Sequence, residues 1–215
     1  MIIFLDFEAS SLAVASFPVE AGWVTEDGEG EAHLIRPAPG WDDWSAEAER
    51  MHGLSREHLA REGKSVEEVA RRILDVLGTE GVTVATDAAR WEQMWLNRLM
   101  QAAGLMHSIK VLELEREVLL PEAQRILHLA PAEGTRGAHL ARGALLDRAS
   151  EIVGDSQHAE KELRRVRHRA LQDAEGMRWW WLEVRERVAE ALGEEYGSRL
   201  LARKGSVPPG ILGWD

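Results

Sequence analysis

The sequence predicts an α/β domain with a mixed five-stranded sheet, and the order of its periodic segments carries that prediction. Three strand patterns come first, and EDGEG at 26–30 is typical of a hairpin turn between the second and third. Short apolar segments then alternate with helical patterns, which indicates parallel strands joined by helices. The patterns after the last strand are helical, so we expect helices to flank the sheet.

Strands are expected where β-branched, aromatic and other apolar residues run without a breaker. These segments are residues 2–7, 19–25, 31–36, 81–86 and 109–114. We find no internal repeat or low-complexity linker, so we expect one domain over residues 1–195. The turn-rich residues 196–215 are expected to form an irregular C-terminal tail.

The clearest helix is expected over 65–77. Ser65 and Glu68 have the spacing of a capping box, apolar residues recur at helical spacing, and Gly78 ends the pattern. Helical patterns also begin at Trp44, cover 88–103, and continue after the last strand to about 192. Within that last region we expect breaks near 131–137 and 154–156.

The composition is that of a soluble globular protein. Of the 215 residues, 45% are hydrophobic and none is cysteine, which excludes disulfides and thiolate metal sites. No apolar run approaches the ~20 residues of a membrane helix, and the N-terminal run MIIFL lacks the features of a secretory signal. We therefore expect a cytoplasmic protein with no membrane association.

The net charge of −11 argues against a protein that coats nucleic acid by bulk electrostatics. It does not exclude an enzyme whose carboxylates hold cations. Arginine supplies 22 of the 26 basic residues, which suits bidentate phosphate contacts but is equally explained by genome composition.

Two acids, Asp6 and Glu8, lie at the end of the first predicted strand. The two-residue period of a strand places both side chains on one face, ~7 Å apart. Burying ionised acids at the end of an apolar strand destabilises the fold unless a cation pairs with them. The alternative is that the strand ends at Leu5 and both acids are solvated.

A second pair of acids follows the strand predicted over 81–86. Asp87 stands where a helix N-cap is expected, and Glu92 lies about a turn and a half into the helix. Either residue could serve a site at the end of the sheet. The alternatives are a capping role for Asp87 and a surface position for Glu92.

The segment HRALQDAEG places His168 five residues before Asp173. Five residues turn a helix by ~140° net, so these side chains converge only if His168 lies at or before the helix start. Residues 161–178 carry six basic and three acidic side chains, an excess that suits an anionic substrate. A solvated charged helix is the alternative.

Together these residues have the composition that two-metal phosphodiester cleavage requires. Carboxylates hold two hard cations, Mg²⁺ or Mn²⁺. A histidine, whose ordinary pKa lies near working pH, removes a proton from the attacking water.

The order of the motifs resembles the DEDDh, DnaQ-like 3′–5′ exonucleases, which have a ribonuclease H-like fold. The matching motifs are Asp6-x-Glu8, WEQMWL at 91–96 and HRALQD at 168–173; MHGLS at 51–55 and EASSL at 8–12 also resemble family segments. The resemblance spans roughly residues 2–182. It implies a fold and an activity for the domain over 1–195.

The resemblance also implies roles for individual residues. Asp6, Glu8 and Asp173 would hold the metals, Glu92 would complete the site, and His168 would activate water. The expected substrate is a 3′ end of single-stranded DNA or RNA, from which the terminal nucleotide is released as a 5′-mononucleotide. The residues expected to contact it are Ala9, Ser10, Ser11, Leu12, His52 and Asp87.

The chain departs from the family pattern at two positions. The third family carboxylate is normally aspartate, whereas the register here gives Glu92, one methylene longer, with Asp87 as the alternative ligand. A family glycine is replaced by Ser11. These departures motivate a second hypothesis, a module that binds a nucleic-acid end or a protein without cleaving.

Trp179, Trp180 and Trp181 follow Asp173 on the same predicted helix. Consecutive helical residues point ~100° apart, so the three cannot share one face, and we expect mostly core packing rather than base stacking. A third hypothesis is a structural protein whose tryptophan-rich helices form a homodimer.

Overall fold

The computed structural model describes residues 1–129, 138–163 and 168–192. The expected tail at 196–215, the expected break near 131–137 and three of the arginines before His168 lie outside these residues. Along the described chain, no helix combines the length and apolar character needed to cross a membrane.

A five-stranded mixed sheet forms the centre of the fold, in the spatial order β3-β2-β1-β4-β5. Its strands are β1 (Ile2–Ala9), β2 (Pro18–Thr25), β3 (Gly30–Leu34), β4 (Thr83–Thr86) and β5 (Val111–Glu113). The first three are antiparallel neighbours, while β1, β4 and β5 run parallel. The predicted α/β class with a mixed sheet is therefore confirmed.

Helices pack on both faces of the sheet. They are α1 (Ala46–His52), α2 (Arg56–Glu62), α3 (Val66–Leu77), α4 (Ala89–Ala102), α5 (Leu120–Leu129), α6 (Ala138–Leu163) and α7 (Ala170–Ala191). The fifth strand is shorter than predicted because a π-helical segment, Leu114–Leu119, begins directly after it and continues into α5. The predicted capping box of α3 is present, with Ser65 and Glu68 bonded to each other's backbone N–H groups.

The alternation along β1 divides the core into two layers. Ile2 and Phe4 belong to the layer that contains α5, α6 and α7, whereas Ile3 and Leu5 belong to the layer that contains α3 and α4. Because the period of a strand is two, Asp6 and Glu8 continue the face that α7 covers.

The predicted break near 154–156 is wrong, since α6 runs without interruption through Gly154. Ile152, Val153 and Ser156 are buried, and the Trp180 indole of α7 donates a hydrogen bond to the Val153 carbonyl at 3.0 Å. This packing outweighs the ~1 kcal/mol that a glycine costs inside a helix.

The tryptophans of α7 pack as predicted. Trp180 and Trp181 are buried, and the Trp181 ring lies 5.9 Å from that of Phe4 on β1. The Trp181 indole also donates to Glu122 of α5. These contacts fix α7 against the sheet and α5.

Candidate active site

Asp6 and Glu8 lie on one face at the carboxyl end of β1. The alternative that the strand ends at Leu5 is wrong, because β1 continues to Ala9 and pairs with β2 over its length. Glu8 lies opposite Glu20 of β2, and the register shifts between Glu8 and Ala9. Such an irregularity redirects side chains at the end of a strand.

The start of α7 brings His168 and Asp173 to the same place. The helix begins at Ala170, so His168 lies before it and Asp173 within its first turn, as the five-residue spacing requires. The His168 backbone N–H donates to Asp173 Oδ2 at 2.8 Å. One ligand atom each from Glu8, His168 and Asp173 lie within 4.8 Å of one another.

Glu92 approaches this cluster from α4, on the other side of the sheet. Its side chain is buried and accepts a hydrogen bond from the Phe7 backbone, while Oε2 has no hydrogen-bond partner among the residues that the structure describes. The alternative of a surface position is therefore wrong. The packing of α4 residues such as Leu96 and Leu99 into the core holds the first turn of the helix near β1.

Asp87 follows β4 and stands at the rim of the cluster. Because β1 and β4 are parallel, their carboxyl ends meet at the same edge of the sheet. The expected capping role is wrong: α4 has Ala88 at its N-cap position and no side-chain cap bond. Asp87 is exposed, and its backbone N–H lies 3.2 Å from the sulfur of Met177.

The cluster is electrostatically unfavourable when its carboxylates are ionised. Burial, followed by repulsion from the carboxylates of Glu92 and Asp173, raises the pKa of Asp6 well above its usual range. Burial, then Asp173, raises the pKa of Glu8 to about 8, although the Arg169 guanidinium opposes this in part. Burial, then Asp87, likewise raises the pKa of Glu92.

These residues fit a site for hard divalent cations. The donors are carboxylate oxygens, which Mg²⁺ and Mn²⁺ prefer. A cation among them would offset the mutual repulsion and give the buried Glu92 Oε2 a partner. The five acids are Asp6, Glu8, Asp87, Glu92 and Asp173.

The segment after β1 is held from two sides. The Ser10 and Ser11 hydroxyls both donate to Asp43 Oδ2, at 3.1 and 2.5 Å. On α4, the Trp95 indole donates to the Ser16 hydroxyl at 2.9 Å. Asp43 was not predicted, because nothing in the sequence distinguishes it from other loop acids.

Among the residues expected to contact substrate, Leu12 has its side chain in solvent, with 73% of its surface exposed, whereas Ala9 and Ser10 are buried. His52 is also buried, and burial lowers the pKa of its imidazole. Its Nδ1 accepts a hydrogen bond from the Leu54 backbone N–H.

The Arg169 side chain, although partly exposed, is paired with a carboxylate of the protein. Its Nη2 and Nε lie 2.7 and 3.0 Å from the two carboxylate oxygens of Glu20. Although the basic excess of residues 161–178 suits an anionic substrate, Glu20 already occupies the Nε and Nη2 edge of Arg169. Glu20 was missed because its partners are 149 and 150 residues away in sequence.

No protein-family model and no curated protein matches this sequence. Among solved structures, the fold is similar to that of exonuclease I. One exonuclease I structure aligns with a TM-score of 0.54 and 16% identity, over 94% of this chain and 43% of that chain.

Two further matches agree with that one. Escherichia coli exonuclease I in complex with a dT13 oligonucleotide aligns with a TM-score of 0.53 and 16% identity, over 94% of this chain and 42% of that one. A moderately thermophilic exonuclease I from Methylocaldum szegediense gives 0.51 and 16%, over 95% and 43%. This chain thus spans less than half the length of these proteins, and the likeness establishes its fold.

Proposed function

We propose that this chain is a divalent-metal-dependent 3′–5′ exonuclease that hydrolyses terminal phosphodiester bonds of single-stranded DNA or RNA. The observation that carries the proposal is the convergence of acids from β1, α4 and α7 beside His168. The pKa values of Asp6, Glu8 and Glu92 are raised, chiefly by burial, and acids with such raised pKa values concentrate at functional sites. A cation-dependent reaction at an anionic substrate accounts for all of them.

Each residue has a distinct role in this proposal. Asp6, Glu8 and Asp173 hold two cations, Mg²⁺ or Mn²⁺, and Glu92 completes their site. When bound, such cations supply Lewis-acid activation of water and neutralise charge that develops on the phosphate.

His168 is the general base of the proposed reaction. Its side chain is exposed at the edge of the cluster, where it can accept the proton of the attacking water. The water attacks the terminal phosphorus in line, the bond to the 3′ oxygen of the preceding nucleotide breaks, and a 5′-mononucleotide leaves. The exposed Leu12 and the serine-rich segment beside it would contact the terminal nucleotide.

A structurally similar protein and the charge of this chain both favour a single-stranded substrate. A protein of the same fold, exonuclease I, has been solved with a dT13 oligonucleotide. The net charge of −11 disfavours extensive contacts with duplex backbone. Binding of only a terminal nucleotide at the acid cluster requires fewer backbone contacts and is compatible with that charge.

The test uses single-stranded DNA and RNA oligomers, labelled at either end, with Mg²⁺, Mn²⁺ or a chelator. We expect stepwise shortening from the 3′ end that the chelator abolishes. Asp173→Asn and His168→Ala should each reduce the rate at least about 100-fold, because each removes a group acting directly in the reaction. His158→Ala, at an exposed histidine of α6, serves as the matched control and should retain the parental rate.

Calorimetric titration with Mn²⁺ separates the alternatives. A chain that binds Mn²⁺ and an oligomer end but hydrolyses neither DNA nor RNA would be a non-cleaving binding module. A chain that binds no Mn²⁺ and cleaves nothing would contradict the proposed function altogether.

A further inference from the structure

Glu20 is a buried acid in the middle of the sheet, outside the set of proposed metal ligands. It lies on β2, directly opposite Glu8, and only 3% of its side-chain surface is exposed. A carboxylate in such a position requires partners that offset its desolvation. Its hydrogen-bond partners among the described residues lie at the start of α7.

The three hydrogen bonds to Glu20 come from two consecutive residues. Arg169 donates through Nη2 and Nε, and the Ala170 backbone N–H donates to Oε2 at 3.0 Å. Ala170 is the first residue of α7, so its N–H has no acceptor within the helix. Glu20 thus caps the helix and holds the preceding residue with one carboxylate.

Gly22, two residues along the same face of β2, allows this close approach. A Cβ atom built on Gly22 would lie 2.3 Å from the Leu171 backbone nitrogen, closer than atoms can come. The first turn of α7 therefore rests directly on the β2 backbone. Glu20 and Gly22 together fix both the position and the depth of the helix start.

The residues that Glu20 holds lie between the proposed base and one proposed metal ligand. His168 immediately precedes Arg169, and the Asp173 backbone N–H donates to the Arg169 carbonyl at 3.0 Å. His168 also has a φ of +64°, a left-handed conformation that only a few per cent of residues with a side chain adopt. A movement of Arg169 would displace His168 and Asp173 together relative to Glu8.

We infer that the Glu20–Arg169 pair is a positioning clamp that sets the catalytic geometry of His168 and Asp173. The inference rests on the proposed function, which assigns those two residues their roles. Neither clamp residue touches the reacting atoms in this account. They act through the backbone of residues 168–173, and their loss should misplace groups rather than weaken substrate binding.

The test compares Glu20→Ala, Arg169→Ala and their double variant with a matched pair elsewhere on the sheet. Glu31 of β3 and Arg72 of α3 form a similar bidentate pair, with Nη2 and Oε1 2.6 Å apart. Steady-state hydrolysis of a labelled single-stranded oligomer gives kcat and KM for each variant. Amide hydrogen exchange of residues 168–173, followed by mass spectrometry, reports the clamp without any reference to activity.

We expect each single clamp variant to lower kcat about 30-fold, with KM within about threefold of the parent, because misplacement by about 1 Å costs up to about 100-fold. The double variant should be no slower than the slower single variant, since the two residues act as one unit. Amide exchange at 168–173 should accelerate in Glu20→Ala. Glu31→Ala and Arg72→Ala should change neither kcat nor this exchange.

Conservative variants keep the test decisive if an alanine variant fails to fold. Glu20→Gln retains an acceptor for the Ala170 N–H but loses one Arg169 bond, and Arg169→Lys retains charge without the bidentate fork. Both should remain folded by circular dichroism and show intermediate kcat values.

Three outcomes would overturn the inference. The first is an unchanged kcat in both alanine variants. The second is a higher KM with an unchanged kcat, which would assign Arg169 to substrate binding. Unchanged amide exchange at 168–173 is the third. If the parent chain itself hydrolyses nothing, the proposed function fails on that result, and the exchange data decide the clamp independently.

Discussion

The sequence resemblance aligns Glu92 with an aspartate of the family, and the surroundings of Glu92 explain how its longer side chain fits. Glu92 lies on α4, across the sheet from α7. Its side chain extends to the cluster and accepts a hydrogen bond from the Phe7 backbone. Its Oε2 is buried and has no hydrogen-bond partner in the described part of the chain. Asp87, in contrast, is exposed at the rim, so Glu92 is the better candidate for the fourth metal ligand.

Because Glu92 is buried and Asp87 is exposed, substitutions at the two residues should have unequal effects. Glu92→Gln should weaken Mn²⁺ binding by at least about tenfold and lower kcat by at least about 100-fold, because it removes a buried ligand charge. Asp87→Asn should change either quantity by less than about tenfold, since its exposed charge is screened by solvent. Calorimetry with Mn²⁺ measures the binding, and hydrolysis assays measure kcat. Larger losses in Asp87→Asn than in Glu92→Gln would assign the ligand role to Asp87.

The residues proposed to perform chemistry could be picked out from the sequence, whereas those that hold them in place could not. Asp6, Glu8, His168 and Asp173 have informative spacings, and the structure brings them together. Glu20 has no such spacing, because within its own strand it is simply one acid among apolar residues. Its role depends on a register with β1 and on contacts with α7, which sequence periodicity does not encode.

At the scale of elements, α7 is fixed by its first turn and by its tryptophans. Five strands and the α3 helix could be predicted because their periodicity and capping are local properties. The continuity of α6 through Gly154 could not, because it depends on burial of Ile152 and Val153 against other helices. Local signals therefore located the elements, whereas tertiary packing determined that α6 continues past Gly154.

Two glycine-to-alanine substitutions should have opposite effects on stability. Gly22→Ala should lower the free energy of unfolding by at least about 2 kcal/mol, because the added Cβ collides with the backbone of α7. Gly154→Ala should raise it by about 0.5–1 kcal/mol, since alanine favours helix and the added Cβ would meet no described atom within 4 Å apart from the adjacent backbone of α6 itself. Urea unfolding of both variants measures the two changes, and equal signs would contradict this account of α7 and α6.

At the scale of the whole molecule, the acid cluster couples folding to pH and to metal. The folded protein without cations keeps the pKa of Glu8 near 8, above the ordinary value of 4.5. A carboxyl group whose pKa is raised by folding stabilises the folded state fully below the ordinary value. That contribution is then lost as pH rises through the folded-state value, because ionisation costs more in the folded protein.

We therefore expect the chelated protein to lose at least about 1 kcal/mol of stability between pH 5 and pH 8. Saturating Mn²⁺ should reduce or reverse that loss, because cations bind the ionised carboxylates of the folded state and release their protons. Urea unfolding at several pH values, with chelator or with Mn²⁺, measures both effects. Glu8→Gln should flatten the chelated profile, whereas Glu175→Gln, at an exposed acid of α7, should leave it unchanged. A chelated profile that rises from pH 5 to pH 8 would show that these acids are already compensated within the protein, and the electrostatic argument for a cation site would fail.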